Sequence, residues 1–154
     1  MQATAAILAR QPFFEGLTTK QLATLAMSSM QVQFEGGQFI FHEGDPANRF
    51  YLIEQGAVAL ESRVKKGVPV LIQTIGAGEV LGWSWLFAPH RWHFDARAIE
   101  PSKAIFFYGT WLREQCEEDH DLGYELMKRT AEIVVRRLEE THQRLVEERT
   151  FSTA

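Results

Sequence analysis

Apolar and polar positions alternate along the middle of this chain and recur at helical spacing at both ends. Near the start, Thr18-Thr19-Lys20-Gln21 has the form of a capping box. In that arrangement the threonine hydroxyl accepts from the amide three residues on, and the glutamine reaches back. Leu17 and Leu22 sit where a hydrophobic staple packs, and Leu22, Leu25 and Ala26 continue a helical stripe. Residues 1–29 are therefore expected to form a helical segment. From Met30 the period falls to two. Val32 and Phe34 alternate with polar residues up to Gly36-Gly37, and Phe39 and Phe41 alternate up to Glu43-Gly44-Asp45-Pro46. Phe50 to Ile53, Ala57 to Leu60 and Val68 to Ile75 read as further strands, with a hairpin at Arg63–Gly67 and a turn at Gly76-Ala77-Gly78. Strands at Trp92–Ala98 and Ala104–Tyr108 complete a β region over residues 30–110. Short strands punctuated by Gly, Pro and Asp predict a sandwich or barrel.

After Trp111 the helical period returns, and residues 111–149 are expected to be helices. Met127, Ala131, Val134, Leu138, Thr141 and Leu145 are spaced alternately four and three apart, a heptad seam. Leu122, Leu126 and Ile133 lie on a neighbouring face. One stripe is expected to lie on the chain's own barrel while the seam meets the same helix of a second copy. The alternative is one broad core-facing stripe. The homodimer is preferred because the seam runs on past what a compact barrel can cover. Residues 150–154 are expected to fray.

Composition narrows the function. With 154 residues, 45% hydrophobic and 23% charged, the chain fits a single domain with a real core. A net charge of −4 offers no basic footprint, so direct nucleic-acid binding is not expected. No apolar run reaches the roughly 20 residues that span a bilayer, and the first ten residues lack the form of a secretory signal. No membrane association and a cytoplasmic location follow as expectations. The single cysteine, Cys116, excludes an internal disulfide and sits among Glu114, Glu117, Glu118 and Asp119, which disfavour a thiolate. His90, His93 and Asp95 invite a metal reading. A spacing of three on a strand sends the two rings to opposite faces, so neither a metal nor catalysis is expected. A lone histidine holding haem is equally disfavoured.

The stretch from Gly37 through His42-Glu43-Gly44-Asp45-Pro46 to Gly56-Ala57-Val58 is more specific. It resembles the cyclic-nucleotide-binding domain shared by catabolite-activator/FNR regulators, regulatory subunits of cAMP-dependent kinase and cyclic-nucleotide-gated channels. The resemblance runs from Phe13-Phe14 into the long C-terminal helix. It implies a mainly β fold: an eight-stranded double-stranded β-helix, or jelly-roll barrel, with flanking helices and a long C-terminal helix. Gly37, Gly44 and Gly56 fall where alternation stops and are read as structural corners with positive φ.

The resemblance also implies a ligand cassette, here at residues 78–98. In the family a Gly-Glu pair opens a short helix whose amides meet the cyclic phosphate, Glu holds the ribose, and Arg on the next strand neutralises the phosphate. In this chain Gly82 keeps its place, Trp83 stands at the glutamate position and Trp92 at the arginine position. Arg91 is one residue early, and alternation sets it with His93 and Asp95 on the face opposite Trp92, Phe94 and Ala96. Arg97 is a second candidate for an anion, and Asp95 with Arg97 for a surface ion pair. Three of the four tryptophans fall in this stretch. Gly82, Trp83, Ser84, Trp85, Arg91, Trp92 and Phe94 are accordingly the candidate ligand-binding residues, read either as a stacking pocket or as rings repacking a vacated site.

The expected function is a non-enzymatic sensor domain that dimerises through its C-terminal helix and does not bind cAMP in the usual way. The ligand is unnamed. One alternative is a ligand-free dimerisation module. Another is a true cAMP or cGMP binder through backbone amides and Arg91. Family regulators carry a helix-turn-helix after the long helix, and the sequence to Ala154 holds none, so it is read either as part of a longer chain or as a domain that acts through a separate output protein.

Overall fold

A computed structural model describes residues 1–65 and 68–153. Helix α1 (Ala5–Ala9) leads through a 3-10 turn at Pro12–Phe14 to α2 (Thr19–Met27). The capping box forms as expected: Gln21 N–H donates to Thr18 Oγ1 at 3.1 Å, and Thr18 N–H donates to Gln21 Oε1 at 2.9 Å. Eight strands follow: β1 (Ser29–Phe34), β2 (Phe39–Phe41), β3 (Arg49–Gln55), β4 (Ala57–Lys65), β5 (Val68–Gly76), β6 (Val80–Leu81), β7 (Asp95–Ala98) and β8 (Ser102–Tyr108). Helices α3 (Gly109–Glu118) and α4 (His120–Thr153) close the described chain. The hairpin tip at Lys66-Gly67 and the terminal Ala154 lie outside the described residues.

The strands form two four-stranded antiparallel sheets, ordered β1-β8-β3-β6 and β2-β7-β4-β5. Alternation divides the first sheet between two cores. Phe50 and Leu52 of β3, with Ile105 and Phe107 of β8, pack on Leu8, Phe14, Leu25, Leu112, Leu122 and Leu126 of the helical layer. Their neighbours Tyr51, Ile53, Ala104 and Phe106 point the other way and meet Val58, Leu60, Ile75 and Ala96 of the second sheet. The result is a mainly β jelly roll flanked by helices, as the resemblance implies. Gly37, Gly44 and Gly56 take φ of 87°, 88° and 100°, as a corner role requires.

Three local expectations change. The strand expected from Trp92 begins only at Asp95, because residues 91 and 92 pair with the Glu43–Ala47 turn. Arg91 bridges Pro46, while Trp92 N–H donates to Asp45 O at 3.0 Å and its carbonyl accepts from Gly44 N–H at 2.9 Å. Strand β6 went unread, since two residues cannot display a period. Helix α4 continues through Thr153 rather than ending near Arg149.

Candidate functional site

The cassette begins where β6 ends. Gly82 turns the chain at φ 99°, and a Cβ placed there would lie 2.7 Å from Cη2 and Cζ3 of Trp92. Only glycine admits both the backbone geometry and the approach of that ring. Trp92 itself is buried and stacks on Phe41 with centroids 3.8 Å apart and planes 6° off parallel. At the position where the family resemblance puts a phosphate-binding arginine, the barrel interior therefore holds an indole packed between a phenyl ring and a glycine. A phosphate brought there would lose its water without gaining a paired cation.

The segment after Gly82 is a turn, closed by Leu86 N–H donating to Trp83 O at 3.2 Å. The turn divides the aromatic candidates. Trp85 points into the helical core, stacked on Phe50 at 4.8 Å, with its carbonyl accepting from Arg113 Nη1. Trp83 stays half-buried, stacked on His93 at 4.9 Å, and His93 Nδ1 lies 3.0 Å from the buried Ser84 Oγ. Arg91 is exposed and donates from Nη1 to Gly44 O at 2.8 Å, on the outside of the barrel.

Nor is Arg97 available to an anion. Its guanidinium holds Glu61 through two bonds, Nε–Oε1 at 2.9 Å and Nη2–Oε2 at 3.2 Å, and that carboxylate raises its pKa above the usual arginine value. The surface ion pair expected between Asp95 and Arg97 is absent. The buried Asp95 takes Arg63 Nε at 3.0 Å and Glu43 N–H at 2.8 Å instead. The physical reason is register: Glu61 of β4 lies directly across from Asp95 and two residues along from Ala59, the partner of Arg97, so all three side chains share one face and Glu61 takes Arg97 on the diagonal.

Trp83 and Phe94 meet α4 across a cleft of about 200 Å3. Leu60 and Ile72 come from the barrel, Gln73 from β5, and Val134, Arg137, Leu138 and Thr141 from the helix. Of the candidate ligand-binding residues, the structure brings Trp83 and Phe94 to this cleft and sets Gly82 and Trp92 behind it in the barrel. Ser84 stands one bond away through His93. Trp85 and Arg91 are elsewhere. Arg137 was missed by sequence reasoning. It follows the buried Ile133 by one helical turn, which is the signal that its side chain faces the barrel. Its Nη2 donates to Val80 O of β6, its Nη1 is buried with no hydrogen-bond partner among the described residues, and burial lowers its pKa to about 10 despite Glu79 and Glu140.

The seam positions of α4 fall at and beside the cleft. Met127, Leu138 and Leu145 are 43%, 67% and 53% exposed, Ala131 and Thr141 are also exposed, and Val134 is half-buried. Among the described residues no three His, Cys, Asp or Glu side chains are grouped for a metal, and no helix is long and apolar enough to cross a membrane.

Comparison with known proteins places these observations in a family. Residues 31–119 match the family model for the cyclic nucleotide-binding domain. The chain is 27% identical over 141 residues to a CRP-like cAMP-activated global transcriptional regulator of Mycobacterium tuberculosis, covering 92% of this chain and 61% of that protein. It thus spans a little under two thirds of that regulator's length. Among solved structures, a protein from Geobacter metallireducens GS-15 described as a "Putative Cyclic nucleotide-binding protein" superposes with a TM-score of 0.80 at 31% identity. That similarity covers 88% of this chain and 98% of the other. The regulatory subunit of a cAMP-independent protein kinase A from Trypanosoma cruzi, bound to guanosine, gives a TM-score of 0.61 at 25% identity over 68% of this chain and 37% of that one.

Proposed function

The chain belongs to the cyclic nucleotide-binding domain family, and on that premise we propose that it is a non-catalytic sensor domain, homodimeric through α4, that does not grip cyclic nucleotides in the usual way. One observation carries the reading: Val134, Leu138 and Thr141 of α4 line the cleft and also belong to the heptad seam. A ligand entering beside Trp83 and Phe94 presses on the same helix that would meet a second copy. Sensing and assembly therefore share one element, which is what a switch needs.

Three observations support departure from ordinary cAMP binding. Trp92 fills the expected phosphate position, Arg91 points outward, and Arg97 is held by Glu61. The likeness to a cAMP-independent regulatory subunit bound to guanosine supports a fold that accepts ligands without a phosphate. The reading that cAMP binds through backbone amides and Arg91 loses its cation. A ligand-free dimerisation module is the second reading, favoured by the burial of Trp92 and Trp85.

The test is titration of the purified chain with cAMP and cGMP, following tryptophan fluorescence, alongside sedimentation to determine the assembly state. The expected result is a dimer with no saturable response to either nucleotide in the micromolar range. Micromolar cAMP binding, or a monomer throughout, would overturn the proposal.

A further inference from the structure

Arg137, with one guanidinium nitrogen unpaired among the described residues, lies where helix α4, the barrel and the cassette residues Trp83 and Phe94 meet. We infer that the cleft beside Trp83 is a binding site for a small planar anion, held by Arg137 from α4 rather than by a cation from the barrel. This rests on the preceding reading, in that it names the ligand chemistry of the sensor proposed there.

Charge, shape and size each contribute. Arg137 Nη2 is already committed to Val80 O, while Nη1 is buried and makes no hydrogen bond among the described residues. A buried donor without an acceptor is costly, and a charged one more so. Since Nη1 has no bond to lose, it can pivot about the Val80 contact into the cleft and take one oxygen of an anion. Burial lowers the guanidinium to about 10, so it is still cationic at neutral pH and poorly screened by water. Glu79 and Glu140, the carboxylates that act on it, have their own partners, Gly76 N–H and Gln73 Nε2. No carboxylate closes an ion pair with Arg137 among the described residues.

The half-buried Trp83 and Phe94 line the cleft with aromatic surface against which a flat body can pack. Size favours a ligand smaller than a nucleotide: clefts for drug-sized ligands run from about 300 to 1,000 Å3, and this one is about 200 Å3. A single ring bearing one carboxylate or one phosphate matches that space. The shared chemistry is the anion on a flat ring; which anion is left to the measurement.

The experiment titrates the full chain with benzoate, phenyl phosphate, the uncharged benzamide and cAMP, followed by tryptophan fluorescence and ligand-observed NMR. Benzoate or phenyl phosphate is expected to saturate, with benzamide weaker by at least about tenfold. The tighter of the two anions assigns the headgroup. Arg137→Gln is expected to weaken the anion by at least about tenfold and to erase its advantage over benzamide. Ile72→Trp, which crowds the cleft from β5 and leaves both Arg137 and the Gln73–Glu140 hydrogen bond in place, is expected to block binding in a chain with unchanged circular dichroism. Silence toward both anions, or equal anion affinity in Arg137→Gln, would sink the inference. Silence in a chain that still sediments as a dimer leaves the sensor reading to its own test. Micromolar cAMP binding insensitive to Arg137→Gln would remove both.

Discussion

At the scale of single residues, the site is decided by what stands in for charge. Where the family resemblance implies a cation, Trp92 sets a buried indole, and its place in the cassette was counted from Gly82. The separate fates of Trp83 and Trp85 were not legible. Two tryptophans two apart look equivalent in sequence, and only the turn closed by Leu86 sends one to the helical core and leaves the other at the cleft. If Trp92 is core, Trp92→Ala should lower stability by about 3–5 kcal/mol, read from the denaturant midpoint at constant slope. A loss under about 1 kcal/mol would mean that the ring is not packed as described. Cys116 gives a pH signature. Burial first, then Asp119 and Glu117, raise its thiol to about 11, so the protonated form dominates at neutral pH. Its alkylation by iodoacetamide should keep accelerating as pH rises toward about 11. A plateau at the ordinary thiol value of about 8.5 would contradict this environment.

At the scale of elements, legibility followed length. The Thr18 capping box and the alternating strands carry their signals within a few residues, and these elements formed as expected. Strand β6 has two residues and no pattern to read, and β7 is shortened because Arg91 and Trp92 are bound by the Glu43–Ala47 turn. Helix α4 was recognisable as a helix, and its docking stripe of Leu122, Leu126 and Ile133 is buried as expected; what was not legible is that beyond Ile133 the docking passes to arginines. Arg137 donates to Val80 O, and Arg144, two turns on, donates to Ile72 O and Leu71 O. Strands β6 and β5 are sheet edges, where carbonyls lack ladder partners, so long cationic side chains can bind there as well as apolar ones. This polar docking leaves the apolar seam outward. Leu138→Glu with Leu145→Glu should therefore abolish the dimer and leave the monomer's unfolding midpoint nearly unchanged. Each leucine is worth about 1.5–3 kcal/mol on burial, so even one substitution, counted in both copies, should weaken the dimer by at least about a hundredfold. A dimer that survives both substitutions would return the seam to solvent.

At the scale of the whole molecule, the shared helix imposes a quantitative condition. If the cleft and the seam both depend on Val134, Leu138 and Thr141, ligand binding and dimerisation cannot be independent. Whatever factor the ligand applies to the dimer constant, dimerisation must apply to ligand affinity, because the coupling free energy is common to both. Couplings of this kind span about 5- to 150-fold, large enough to measure by sedimentation at several protein concentrations with and without a saturating ring anion. The sign depends on where α4 sits. A ligand that spreads the helix from Trp83 and strains the Arg137 and Arg144 contacts would either press the seam outward toward a partner or tilt it out of register. Arg144→Ala releases one of those contacts at the edge of the cleft without removing a lining side chain, and is expected to raise the dimer's response to ligand while leaving the monomer's affinity within about threefold. If the dimer constant is the same with and without bound anion, the cleft and the seam are separate devices that happen to share a helix. The protein would then be a dimerisation module with a binding site beside it.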